Sequence, residues 1–257
     1  MKINFKNIIQ FWQLTFNLAK INFKIKTEDS YLGIFWHFLN PLLLFVTMYF
    51  IFKNITGQTI ANYPVYLLSG IIMFRFFQST TGEATTAVIN AETVIKSLKF
   101  NLFAVPFSVV LSNTFSHLIE ILTVIAFLTY LNVISIEILY YPLILALLIL
   151  FTTGLALFFS ALATVFRDTI NIWSNLLRII WLATPIFYSV DVNPLLRKIN
   201  LTVNPMFYFI EMLRTVIIKK SLPSAELILP TLIFTGISLL VGILTFNILQ
   251  KKFSENL

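Results

Sequence analysis

The chain has 257 residues, of which 58% are hydrophobic and only 11% charged, against about 25% charged in an ordinary soluble domain. A chain this apolar aggregates in water unless lipid is its solvent, and its nearly continuous apolar runs leave no soluble stretch for a second domain. The absence of cysteine excludes a disulfide, a thiolate nucleophile and a Cys-based zinc site.

The two histidines, His37 and His117, are too few for a His-rich metal centre. The net charge of +7 would suggest nucleic acid in a soluble protein. Here the basic residues sit at the ends of apolar runs, so membrane lipid headgroups are the expected partner and nucleic acid is not.

The first apolar residues are interspersed with Lys, Asn and Gln, which does not make a cleavable signal peptide. Residues 4–26 are too charged to span. Lys6, Gln10, Gln13, Asn17, Lys20 and Lys24 fall on one polar helical row. Phe5, Ile9, Trp12, Phe16, Ala19 and Phe23 line one flank, and Phe11, Leu14, Leu18, Ile21 and Ile25 the other. The expectation is an amphipathic interfacial helix over 1–28. Two readings stand for its two apolar flanks: a plain lipid-surface anchor, or one flank on lipid and the other on the protein's own spans or a partner.

A spanning helix needs about 20 mainly apolar residues. The runs that meet this give six expected transmembrane helices, over 31–52, 63–88, 103–131, 138–166, 169–190 and 227–250, in a single all-α membrane domain. Pro142 and Pro230 sit near span starts, where a missing amide donor is harmless. Six spans put both termini on one side. That side carries Lys2, Lys6, Lys20, Lys24, Lys26, Lys96, Lys99, Arg167, Lys251 and Lys252; the other holds Lys53, Arg197, Lys198, Lys219 and Lys220. Ten against five places both termini in the cytoplasm. Four of the outer five fall in one segment, 191–225, which needs its own account.

No phosphate-binding Gly-rich loop, His-Glu-x-x-His, Gly-x-Ser-x-Gly or Asp-rich metal motif is present. Energy must therefore come from an ion gradient or another subunit. Charges at membrane depth are candidates for function. His117 and Glu120 share a helix face, either as a proton relay or ligand site or as an interhelical hydrogen-bond pair. Arg75 and Glu83 lie eight apart, roughly on one face, and Arg178 lies about two turns into the fifth span.

Six pieces, in order along almost the whole chain, carry a resemblance. They are Tyr31-Leu32-Gly33-Ile34-Phe35-Trp36 with Asn40-Pro41-Leu42; Asn62-Tyr63-Pro64-Val65-Tyr66-Leu67-Leu68-Ser69-Gly70; Asn90-Ala91-Glu92-Thr93-Val94-Ile95-Lys96; Phe166-Arg167-Asp168; Thr184-Pro185-Ile186-Phe187-Tyr188; and Asn204-Pro205 with Arg214 ten residues on. The pattern resembles the type-2 ABC transporter permease family, specifically its polysaccharide exporters: the O-antigen, capsule and teichoic acid permeases. Two departures stand out. The coupling segment reads Lys96-Ser97-Leu98-Lys99-Phe100-Asn101 without the family's turn proline, and Phe74 replaces a frequent Trp beside an atypical Arg75.

The resemblance implies a homodimer that pairs with two copies of a cognate ABC ATPase subunit in the bacterial cytoplasmic (inner) membrane. The chain itself would be a non-catalytic permease with no cofactor; ATP and Mg would sit on the partner. The cargo implied is a lipid-linked polysaccharide, O-antigen foremost. Glu92, Lys96, Lys99, Arg167 and Asp168 fall where the family meets its ATPase. Phe187, Tyr188, Phe207, Tyr208, Glu211 and Arg214 fall at an outer gate or glycan path, with Glu211 and Arg214 spaced to pair. The resemblance also implies that 191–225 folds back as a re-entrant outer helical hairpin. Pro194, Pro205 and Pro223 are its stops, and Met206–Ile218 is too short to cross. The competing readings are an ABC exporter of a drug or small lipid, and an ion-driven carrier or membrane enzyme; no inverted repeat or catalytic constellation favours the last.

Overall fold

The computed structural model of the chain describes residues 5–28, 31–55, 60–97, 99–131, 134 and 136–253, with the side chains of 5–7 and Val192 outside that set. Lys2 and the side chains of Phe5 and Lys6, assigned above to the N-terminal rows and tail charge, lie outside the described residues. Among those described there is no strand. Ten α-helices follow one another: α1 Phe5–Thr27, α2 Phe35–Phe52, α3 Tyr63–Asn90, α4 Glu92–Ser97, α5 Ala104–Tyr130, α6 Tyr141–Val165, α7 Thr169–Ala183, α8 Pro194–Thr202, α9 Pro205–Ile217 and α10 Ala225–Leu249. The all-α expectation holds.

Local chemistry sets several starts. Pro64, Pro142, Pro194 and Pro205 each stand in the first turn of their helix, where no amide donor is needed. Two Asn-Pro pairs cap as well as start. The Asn193 side chain accepts from the Leu195 and Leu196 amides, and that of Asn204 from Met206.

Among the described residues four helical stretches are long and apolar enough to cross a membrane: Phe35–Phe52, Ala104–Tyr130, Ile136–Val165 and Ala225–Lys252. The two other expected spans fall short of that description for different reasons. Helix α3 is long, 28 residues, but it is the centre of the bundle and packs against α2, α5, α6, α7 and α9. Its Ser69, Thr80, Thr81 and Thr85 are buried among protein, so its composition need not satisfy lipid. Helix α7 has 15 residues and ends at Ala183, whereas the fifth span was set to run to 190. At 1.5 Å per residue it covers about 22 Å.

Two apolar clusters mark the ends of the bundle. Ala84 and Val88 of α3, Val105 and Val109 of α5, Ala161 of α6 and Phe246 of α10 pack together, and Phe103 rests on Phe246 with ring centroids 4.5 Å apart. The C-terminal ends of α3, α6 and α10 therefore meet the start of α5, and α4 with the Phe166-Arg167-Asp168 corner lies at this end. Tyr63, Phe187, Met206 and Phe209 belong to the larger cluster. Helices α6 and α10 touch backbone to backbone: a Cβ on Gly154 would strike Ser238, and one on Gly242 would strike Gly154. Small residues permit such crossings in membranes, where helices associate by close packing.

Helix α1 lies along the first half of α5. Phe11 and Trp12 meet Phe107 edge-on, and Phe16 and Phe23 meet Phe115. Thr15 and Ala19 are fully buried in that seam, while Ile9, Trp12, Phe16, Ile21 and Ile25 remain exposed. Both apolar flanks touch the chain's own α5, through Phe11 on one and Trp12, Phe16 and Phe23 on the other, and both keep exposed residues.

Candidate functional site

The segment after α7 organises one end of the molecule. A residue before proline is pushed out of the helical region, and Thr184, preceding Pro185, is extended at φ −78°, ψ 134°. Helix α7 stops there and leaves carbonyls without intrahelical donors. Side chains from three elements donate to the end of α7 and to the segment that follows it. Arg214 of α9 donates to Pro185 O (2.9 Å) and to Ile186 O (3.1 Å). Tyr63 of α3 donates to Phe187 O (3.0 Å), and Tyr66 to Tyr188 O (2.8 Å). Asn200 of α8 donates to Ala183 O (3.0 Å), and Asn204 to Thr184 Oγ1 (2.8 Å).

Arg214 is the hub. Its side chain is 2% exposed, pairs with Glu211 at 2.9 Å and donates to Tyr66 O at 3.2 Å. A Cβ at position 70 would stand 3.0 Å from Arg214 Nη2, so Gly70 leaves room for the guanidinium. The Glu211–Arg214 spacing was legible in the sequence; the burial of the arginine among protein was not. Of the six residues assigned to an outer gate, Phe187, Tyr188, Glu211 and Arg214 come together around this segment. Phe207 and Tyr208 are buried one helical turn away, with Tyr208 donating to Leu201 O and its ring 6.1 Å from Phe234 of α10.

At the other end, α4 carries Glu92 and Lys96 as an exposed pair at 2.7 Å. Thr93, Ser97, Lys99, Arg167 and Asp168 are also exposed. Lys24 on α1 lies outside the spans, and its ammonium is held above the usual lysine range by the hydrogen bond it donates to the neighbouring Glu28 carboxylate.

The ionisable residues inside the bundle form two paired sets. Arg75 of α3 meets Glu120 of α5 at 3.3 Å. His117 bonds the Tyr141 hydroxyl through Nε2 and stands 3.8 Å from Glu120 through Nδ1. Lys26 of α1 meets Glu83 of α3 at 2.7 Å, and Asn113 bridges them, donating to Glu83 (2.8 Å) and accepting from Lys26 (3.1 Å). Arg75 and Glu83 thus share a helix but not a partner. None of these interhelical pairs has a sequence spacing that would announce it. A further feature went unread although its spacing was visible: Asn171, Ser174, Asn175 and Arg178 of α7 recur at helical intervals, and all four are exposed.

Among the described residues no group of three His, Cys, Asp or Glu side chains could hold a metal ion. Apolar helices long enough to cross a bilayer, wrapped around a central helix whose buried polar side chains lie among protein, define a multi-pass membrane protein. The chain belongs to the ABC-2 type transporter family, whose profile matches residues 13–218. It is 24% identical over 255 residues to the O-antigen export system permease protein RfbA of Myxococcus xanthus, covering 98% of each chain. It is 30% identical over 259 residues to a Klebsiella pneumoniae protein of the same name, covering 99% of each chain. A second K. pneumoniae protein so named is 29% identical over 252 residues, 97% of this chain and 96% of the relative.

Proposed function

We propose that this chain is the membrane-spanning subunit of an ATP-driven exporter that moves a lipid-linked polysaccharide, an O-antigen chain foremost and capsule or teichoic acid next, across the bacterial cytoplasmic membrane. The observation that carries the reading is the end-to-end similarity to proteins named O-antigen export permeases. In this reading α2, α3, α5, α6, α7 and α10 span, and α8 and α9 form a re-entrant outer hairpin with both termini cytoplasmic. The 13 residues of α9 give about 20 Å of helix, less than the ~30 Å hydrocarbon core. Helix α7 ends at Ala183, and the bent segment 184–188 that follows completes this span at the outer end.

Two copies pair with two copies of a separate ATPase subunit, which holds ATP and Mg and performs the hydrolysis; this chain contributes no catalytic residue or cofactor. The exposed stripe Asn171, Ser174, Asn175 and Arg178 supports the homodimer, because polar and charged side chains are costly against lipid and are accommodated where two copies border a polar conduit. Closure of the ATPase pair pushes on α4 and on the Arg167-Asp168 corner, and the spans part to admit the glycan.

The test is co-expression with the cognate ATPase. The chain alone should hydrolyse no ATP, and the two-plus-two complex should show hydrolysis and glycan transfer that need both subunits. Robust transport by this chain without ATP overturns the reading.

A further inference from the structure

A polar cavity of about 210 Å³ lies within the bundle, walled by Lys26, Arg75, Glu83, Asn113, His117 and Glu120. At ~30 Å³ per water it has room for roughly seven waters, or one small polar ring. It has a mouth and a floor. The side chains of Glu83 and Lys26 are 42% and 23% exposed, whereas those of Glu120 and His117 are 7% and 1% exposed.

The charges in this cavity are already spent on one another. Lys26 meets Glu83 and Arg75 meets Glu120, so these four charges sum to zero. An anionic or cationic guest would have to break one of these pairs or lie beside a charge of its own sign, and unpaired charge in a low-dielectric site is strongly unfavourable. What the walls still offer is hydrogen bonding in both directions. Arg75 Nε and His117 Nδ1 are buried and make no hydrogen bond, a rare and costly condition for buried polar atoms. The two carboxylates keep further lone pairs. Asn40 and Ser79 add polar groups, and Trp36 and Phe76 add flat apolar faces. Donors, acceptors and an aromatic face around a neutral space match a polyhydroxylated ring, whose C–H face packs on aromatics while its hydroxyls both give and accept protons.

We infer that this cavity is a binding site for one neutral sugar ring, held at the floor by Arg75, His117 and Glu120. The inference rests on the proposed export function for the cargo's chemistry alone, and its test needs no transport.

The chain has no native cysteine, so Ser79→Cys places a single thiol in the cavity wall, with Ser221→Cys on the loop after α9 as the control. The full chain, purified in lipid nanodiscs with its associated subunits, is labelled with a small neutral maleimide. Methyl glycosides of glucose, galactose, mannose and rhamnose are the probes, with sodium phosphate and sodium pyrophosphate at matched ionic strength beside them. At least one glycoside should slow labelling at position 79 by the factor 1 + [L]/Kd, about threefold at twice its Kd, and leave position 221 unchanged. Asn40→Ala, which leaves both ion pairs standing, should weaken that protection. Protection by phosphate or pyrophosphate in place of glycosides overturns the inference in favour of an anion site. Labelling that no glycoside slows overturns it in favour of a water-filled cavity. Glycoside protection in a protein that fails to export glycan with ATP would instead sink the proposed function and leave this site intact.

Discussion

The guanidinium carbon of Arg214 stands 3.3 Å from the centre of the Tyr66 ring, and Nη2 of the same side chain donates to the Tyr66 carbonyl at 3.2 Å. One arginine on α9 thus grips one tyrosine on α3 by its ring and its backbone, and also donates to Pro185 O and Ile186 O in the segment after α7. Arg214→Ala would strip donors from Pro185, Ile186 and Tyr66 and leave Glu211 without its partner. Removing one member of a buried pair typically costs about 3–5 kcal/mol. The variant should show a clear fall in thermal midpoint and yield from membranes. Arg214→Lys, with one ammonium in place of a fork, should fall between it and the parent. Lys219→Ala, which removes an exposed charge, should stay within about 0.5 kcal/mol of the parent. Equal loss for Arg214→Ala and Lys219→Ala would contradict the clamp.

The crossing of α6 and α10 gives a sharper steric test. Gly154→Leu or Gly242→Val must separate two backbones in contact, and neither variant should accumulate as folded protein in the membrane. Gly236 has nothing within 4 Å of the position a Cβ would take. Gly236→Ala should be tolerated, and gain up to about 1 kcal/mol from helix propensity. Size-exclusion profiles of detergent-extracted protein distinguish the three.

Helix α1 is tied to the bundle by Lys26 and Glu83. Lys26→Glu should loosen α1, raising deuterium exchange in its last two turns, and Glu83→Lys should do the same. The double exchange, Lys26→Glu with Glu83→Lys, should recover most of the protection, with a coupling of about 0.5–3 kcal/mol. Additive loss in the double variant would show that the pair does not hold the helix.

The exposed Glu92–Lys96 pair contributes little to stability, about 0.3–0.5 kcal/mol for such an i,i+4 pair. Glu92→Lys and Lys96→Glu should therefore insert and fold as the parent does, while ATP-driven export falls. Cross-linking from Thr93 or Ser97 should capture the ATPase subunit. A normal export rate in both charge reversals would remove α4 from the coupling path.

The re-entrant hairpin is tested by labelling from either side of intact cells. Asn193 caps α8, so Leu195, 65% exposed, is the better position for a probe. Cysteines at Leu195 and Ser221 should both react with an impermeant reagent from outside. Reaction of one of them only from the cytoplasm would make α9 a crossing segment.

The lipid-facing helices were the most legible in the sequence. Runs such as 31–52 and 138–166 are apolar because lipid demands it, and α2 and α6 lie within them. The end of α7 was written in Thr184-Pro185, yet the apolar residues that follow masked it and drew the span on to 190. The tertiary partners were not legible. Periodicity reports which residues share a face, as with His117 and Glu120, but it carries nothing about which helix lies opposite. Lys26 with Glu83 and Arg75 with Glu120 therefore emerged only from packing. The burial of Arg214 was hidden for a related reason: it sits in a segment whose basic clusters read as headgroup anchors, whereas its role depends on carbonyls left open elsewhere by a proline.

Helix α3 gives the molecule a transmission shaft. It runs unbroken for 28 residues from Tyr63 to Asn90, about 42 Å. It meets the Arg214 clamp at its first turns and passes after Ala91 directly into α4. Regular helix does not compress along its axis, because each residue is fixed by its own backbone hydrogen bond. A push on α4 that slides this shaft by an ångström must slide the Tyr66 carbonyl with it, so the far carbonyl cluster registers the displacement without any signal crossing the side-chain packing between.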